Sequence, residues 1–288
     1  MANLKEIRNR IASIGSTMQI TSAMKMVSAA KLKKAQKAIV EMRPYSNKLT
    51  ELIQRLSSSL DIDDGSDFTK QRKPNRVLIV AITSNRGLCG AFNSNIIKYT
   101  VELTETKYQS SEVSVLTIGK KGNDVLSKTQ NIFRNESAIF DALTFENVSV
   151  LAQDLMDQFT DEHFDRIILI YNKFKNAATQ ILTEEQFLPI VPPIDEDQSK
   201  TATDFIFEPS EKKIIHNLLP KSLKTQLFKA LRDSYASEHG ARMTAMHKAT
   251  DNAKDLRDDL LLKYNKARQS AITNEILEIV GGAEALKG

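Results

Sequence analysis

The stretch from Ala236 to Gly282 contains no proline, and its glycines are confined to Gly240 near the start and the Gly281–Gly282 pair at the end. A run this long without a breaker reads as one long helix. Apolar or small residues recur at Met243, Met246, Ala253, Leu256, Leu260, Tyr264, Ala267 and Ala271. Steps of mostly three and four set these on one stripe. A band of that length cannot stay in water, so a second long element must cover it.

The first sixty residues supply one. Leu4, Ile7, Ile11, Ile14 and Met18 are followed after a gap by Leu32, Ala35, Ile39 and Met42, and after Pro44 by Leu49, Ile53, Leu56 and Leu60. This alternation of three and four is a heptad pattern, which favours a left-handed coiled coil. A straight helix from Asn3 to Ser57 would span roughly 80 Å. Pro44 lacks an amide hydrogen and crowds the preceding turn, so a kink is expected near Arg43. Both long helices sit at the ends of one chain, so a folded middle that both enter and leave at one side makes them antiparallel. In the gap, the strict repeat falls on Thr21, Lys25 and Ser28, while the apolar residues stand at Ile20, Met24 and Val27. A slip of one residue turns the apolar face by about 100°. Either the coiled coil absorbs a local stutter, or Met24 and its neighbours face a second partner, for which a flexible thioether is suited.

Composition narrows the class. The 288 residues are 41% hydrophobic and 26% charged, with a net charge of +4, enough for one or two cores. No apolar run approaches the ~18 residues of a membrane span. The start, MANLKEIRNR, has neither a signal peptide's apolar segment nor a transit peptide's serine-rich character, and a bacterial cytoplasm is the simplest expectation. The single cysteine, Cys89, forbids an internal disulfide and suits a reducing compartment. His163, His216, His239 and His247 are scattered without a completed ligand set, so no metal is expected. From Met1 to Lys48, ten lysines and arginines face two glutamates, a net of +8. Such an arm suits an acidic surface, or else a solvated helix face. No aromatic residue precedes Tyr45, so a base-stacking platform for nucleic acid is missing.

The middle of the chain reads differently. Residues 61–75, polar and glycine- and proline-containing, form a linker. Arg76 to Thr83, RVLIVAIT, has the continuous apolar character of a buried parallel strand. After the turn Ser84 to Gly90 come a helix from about Ala91 to Tyr108, a strand at Val113 to Ile118, a short helix after Gly119, a helix from about Asn147 to Thr160, a strand at Arg166 to Tyr171 and an edge strand at Thr179 to Leu188. Alternating strands and helices predict a small parallel sheet with crossover helices. Asp195 to Asp204 reads as a mobile loop, and Pro220 interrupts the final helical region before it becomes continuous. The divisions are therefore 1–60 for the first coiled-coil helix, 61–75 for the linker, 76–208 for the α/β domain and 209–288 for the second coiled-coil helix.

The turn SNRGLCGAFN stands where phosphate-binding loops occur. It lacks the Gly-Lys-Ser/Thr ending of a P-loop and has two glycines where a dinucleotide fingerprint has three, so it reads first as a structural turn. Arg86 beside Cys89 could lower a thiol pKa, but no histidine or motif supports that, and a packed small residue is the simpler reading. Glu184, Glu185, Asp195, Glu196 and Asp197 read as solvated carboxylates. A nucleotide-binding α/β enzyme with coiled-coil oligomerisation arms stays open as the alternative.

Four segments carry a resemblance. IRNRIASIGSTMQITSAMKMVSAAKLKKAQ (Ile7–Gln36) resembles the N-terminal signature of the gamma-subunit family of F-type ATP synthases. ASEHGARMTAMHKATDNAKDL (Ala236–Leu256) and YNKARQSAITNEILEIVGGAEAL (Tyr264–Leu286) resemble its C-terminal signature, and SNRGLCGAFN is similar to its first strand-to-helix turn. The resemblance implies an antiparallel coiled coil of the terminal helices with a central Rossmann-like α/β domain. It also implies a rotor shaft without bond chemistry or cofactor, turning inside three alpha and three beta subunits and resting on the epsilon subunit and the c ring. It implies a peripheral place on the cytoplasmic side of a bacterial plasma (inner) membrane, with no insertion and no nucleic acid. By the same resemblance Met24, Lys25 and Arg242 meet the acidic lever of the beta subunit, and Arg268, Gln269 and Thr273 catch on the catalytic ring. Arg43, Phe205, Phe207 and Glu208 belong to the foot facing epsilon and the c ring. Phe205 and Phe207 stand where the family often has tyrosine, and Gly240 where alanine or serine is more usual, at a helix cost of ~1 kcal/mol.

Overall fold

The computed structural model describes residues 4–57, 67–190 and 211–285. Its elements in chain order are α1 (Leu4–Ser57), β1 (Arg76–Ile82), α2 (Phe92–Glu105), β2 (Glu112–Ile118), α3 (Lys120–Leu126), β3 (Ile132–Asn135), α4 (Phe145–Thr160), β4 (Arg166–Phe174), β5 (Gln180–Leu188) and α5 (Glu211–Ala285). The chain forms two compact units, one of residues 1–28 with 242–288 and one of residues 29–241.

In the larger unit, the strands lie in the order β3-β2-β1-β4-β5. β1 pairs in parallel with β2 and β4, β2 pairs in parallel with β3, and β5 closes one edge antiparallel to β4. β1 is buried from Val77 to Ile82 because both sheet faces are covered, as its unbroken apolar run requires. Leu78, Val80 and Ile82 pack towards α4 and the Leu223–Leu231 part of α5. Val77, Ile79 and Ala81 pack towards α2 and Leu126 of α3. α4 is held at its start by Thr144, whose hydroxyl accepts from the Asn147 amide at 3.3 Å, a capping contact.

Four sequence expectations change. β3 was not anticipated: four residues on a sheet edge, alternately half-buried and exposed, leave too short a pattern to read. The linker is partly folded, with a 3-10 turn at Asp67–Thr69 and Phe68 against the sheet core. Its Arg72 stacks 4.9 Å over the Phe159 ring and donates to the Phe159 carbonyl at 3.0 Å. Pro220 does not interrupt the last helix, which runs without a break from Glu211 to Ala285; Pro44 lies inside α1, where the expected kink is compatible with a continuous helix. Glu184 and Glu185 are tethered rather than solvated. Glu184 accepts from Tyr99 at 2.8 Å and Lys107 at 2.6 Å, and Glu185 from Tyr171 at 2.6 Å and Gln226 at 2.8 Å. The expected loop at Asp195 to Asp204 lies outside the described residues.

The Tyr171 contact carries a pH prediction. Burial, helped by the charge of Glu185, pushes the phenol well above its ordinary 10.0. The unfolded chain therefore loses this proton first, so stability is complete below pH 10 and falls as pH rises past it. Tyr171→Phe is expected to flatten that alkaline decline and to cost about 1 kcal/mol at neutral pH. Urea titrations at stepped pH read both, and an unchanged alkaline slope in the variant would refute the assignment.

Candidate functional site

In the smaller unit, the shielded positions of α1 step through Ile7, Ile11, Ile14, Met18, Thr21, Lys25 and Ser28 without a break. The predicted slip does not occur. The helix keeps its register, and the chemistry of the seam changes instead. Thr21 meets Thr250 across the helices, Oγ1 to Oγ1 at 2.8 Å, and Ser28 turns its hydroxyl back to the Met24 carbonyl at 2.7 Å. The apolar residues displaced from the seam point outward: Ile20 is 60% exposed and Val27 56%. Met24 and Lys25 are both half-buried, at the border between seam and outer face.

The pairing fixes the axial register. Thr21 stands opposite Thr250, and a groove further along is lined by Glu6, Asn9, Arg10, Ser13 and Ile14 with Leu256 and Leu260. Moving towards the start of α1 thus moves towards the end of α5, so the helices are antiparallel. Leu4, where α1 begins, falls near the level of Ala267. The last half-buried residue of α5 is Ala267, and everything from Arg268 to Ala285 is exposed. That corrects the stripe, which the sequence carried to Ala271. Leu256 also leaves it: it is exposed, and Arg257 takes the shielded position.

The sequence-predicted residues therefore fall into separate groups. Met24 and Lys25 lie one turn from the Thr21–Thr250 contact. Arg268, Gln269 and Thr273 lie on the bare end, about 30 Å further along α5 by its rise per residue. Thr273 turns its hydroxyl back to the Gln269 carbonyl at 2.9 Å, and Ile272, Ile276, Leu277, Ile279 and Val280 are exposed around it. Arg242 is buried within the chain itself. Arg43 falls within α1 but its side chain lies outside the described residues, as do Phe205, Phe207 and Glu208 altogether.

The strand-to-helix turn is occupied by its own side chains. Asn93 accepts from the Ser84 amide at 2.9 Å and donates to Cys89 Sγ at 3.3 Å. Asn85 accepts from the Lys120 amide and donates to the Ser137 carbonyl, each at 3.0 Å. Thr83 Oγ1 accepts from the Gly122 amide at 2.9 Å. Amides that a phosphate would need after β1 and in the first turn of α3 are thus already engaged. Cys89 is buried. Sequence reading passed over Thr83, Asn85 and Asn93, although asparagine beside a tight turn is a known signal for side-chain bonds to backbone. Among the described residues, no three of His, Cys, Asp and Glu gather as metal ligands. His247 pairs with Asp251 at 3.2 Å.

A family model described as ATP synthase matches residues 3–286. The ATP synthase gamma chain of Flavobacterium psychrophilum is 68% identical over the whole of both chains. The chain belongs to the ATP synthase gamma-chain family. The gamma chain of Geotalea uraniireducens is 44% identical, again over the whole of both chains. In fold, the chain resembles one from the rotor of the Euglena gracilis mitochondrial ATP synthase, at a TM-score of 0.68 and 21% identity over 93% of this chain and 98% of that one. A second Euglena structure, of the OSCP/F1/c-ring assembly, gives 0.70 and 23% over 98% and 94%. As a gamma chain it is a part of the ATP synthase complex. That complex is membrane-associated, while no helix among the described residues here is long and apolar enough to cross a membrane.

Proposed function

We propose that this chain is the non-catalytic shaft that couples ion-driven rotation of a c ring to ATP synthesis in a ring of three alpha and three beta subunits. The observation that carries this reading is the bare end of α5. From Arg268 onward no helix among the described residues lies beside it, yet it displays five large apolar side chains. An apolar rod of that kind calls for a surrounding sleeve. Arg268, Gln269 and Thr273 would bear on the sleeve, with Met24, Lys25 and Arg242 nearer the beta levers. Arg43, Phe205, Phe207 and Glu208 would face epsilon and the c ring, with residues 76–208 as the foot domain and 61–75 joining it to the 1–60 arm. The chain would sit peripherally on the cytoplasmic face of the bacterial plasma membrane. By presenting different faces in turn, the shaft would shift each beta subunit between nucleotide affinities through differential contact.

The test is ATPase activity of the purified chain mixed with the matching alpha and beta subunits, each also assayed alone. Sustained turnover only in the three-component mixture is expected. Turnover by this chain alone would overturn the reading. Within the same mixture, Arg268→Ala combined with Gln269→Ala is expected to lower the yield of assembled complex several-fold, a loss of about 1 kcal/mol in contact energy. An undiminished yield on gel filtration would remove these two residues from the contact.

A further inference from the structure

The polar stretch of the seam holds a contact that an apolar coiled coil would not need. Thr21 Oγ1 and Thr250 Oγ1 are 2.8 Å apart across the two helices. Each hydroxyl also lies within reach of a carbonyl of its own helix, Met18 at 3.1 Å for Thr21 and Met246 at 2.8 Å for Thr250. Two hydroxyl protons thus serve three acceptors, the two carbonyls and the partner oxygen. In the paired state one threonine donates to its own helix and the other donates across. If the helices slide, both can donate to their own carbonyls. No donor is stranded, and only the cross-helix bond is lost. The neighbouring seam residues Ile7, Ile11, Ile14 and Met18 are apolar and can repack against another apolar layer, so they say little about axial position. A polar pair at one seam level does, because it is satisfied across the helices in a single register.

We propose that Thr21 and Thr250 form a register lock, a pair of positioning residues that holds α1 and α5 in one axial alignment at the level of Met24 and Lys25. The consequence for coupling rests on the rotor reading above; the alignment itself does not. A lock that opens without stranding a donor sets the register while still letting the shaft give under load.

The experiment uses the full chain assembled in the complete complex in sealed membrane vesicles, with its alpha and beta subunits and c ring, and with nitroxide labels on cysteines introduced at the exposed Ser13 and Asp258. Cys89, which is 2% exposed, stays in place. The unmodified seam is expected to give one narrow label-to-label distance. Thr21→Val with Thr250→Val should broaden it or add a population displaced by about 10 Å, one heptad of helix rise. Proton pumping per ATP hydrolysed should fall several-fold, and Thr21→Ser with Thr250→Ser should restore both. Thr21→Val alone, which leaves Thr250 its Met246 acceptor, provides the same reading if the double variant fails to assemble. A narrow, unshifted distance in the valine variants overturns the lock whatever the activity. Broadened distances with full pumping overturn its positioning role. Pumping by the unmodified complex tests the rotor reading separately.

Discussion

Gly119→Ala is expected to destabilise the larger unit by about 3 kcal/mol or more, the range reached when steric overlap and a forbidden backbone geometry coincide. Gly119 links β2 to α3 with φ at +116°, and an added Cβ would lie 2.6 Å from the Thr83 carbonyl carbon and from Thr83 Oγ1. Neither neighbour can yield. The Thr83 amide is bonded to the Ile118 carbonyl at 2.7 Å, and its hydroxyl accepts from the Gly122 amide. Relieving the overlap would therefore break the pairing of β1 with β2 at its end. Urea unfolding of the purified chain reads the effect as a lower midpoint with an unchanged slope. A midpoint within error of the parent would show that the turn relaxes freely. Gly240→Ala makes the contrast: its Cβ would meet the Ala177 carbonyl oxygen at 3.1 Å, close enough to offset much of the ~1 kcal/mol gained in helix propensity. The glycine that looked like a helix defect in sequence lets α5 pass close to the turn after β4.

Met24→Lys is expected to uncouple the complex more than it slows it. Met24 is half-buried, beside Lys25 and on the border of an outer face that carries exposed Ile20 and Val27. On the proposed contact with an acidic beta lever, a second cation there would strengthen binding in one rotational position and leave the others unchanged, which would distort the differences that drive the cycle. Proton pumping per ATP hydrolysed should drop roughly 5-fold or more, a coupling change of about 1 kcal/mol or above, while hydrolysis falls less. Membrane vesicles assayed for both activities decide the matter, and normal pumping would sink the assignment of Met24 to the lever.

Sheet and shaft differed in how readily the sequence revealed them. β1 and β4 were plain because strands buried on both faces must be apolar throughout. β3 was hidden because an edge of four residues needs neither length nor strong pattern. The Thr21–Ser28 seam misled for a different reason. Periodicity follows side-chain chemistry, whereas the helix keeps its geometry when polar residues take the inner positions. Glu185 could not be seen as tethered, since Tyr171 and Gln226 reach it from β4 and α5. Where the apolar stripe of α5 would lose its cover was equally invisible, because a repeat gives spacing but not axial alignment. Arg268, Gln269 and Thr273 were reached through family likeness, and nothing in their spacing marks them.

The naked tip of α5 also bears on how the subunit fares before it is built in. A helix of 18 residues or so without a packing partner is marginal in water, and its apolar side chains invite self-association. Unassembled copies should thus be nicked first beyond Ala267 by a dilute protease and should be cleared quickly in the cell. Their supply is then matched to that of the sleeve by turnover as well as by synthesis.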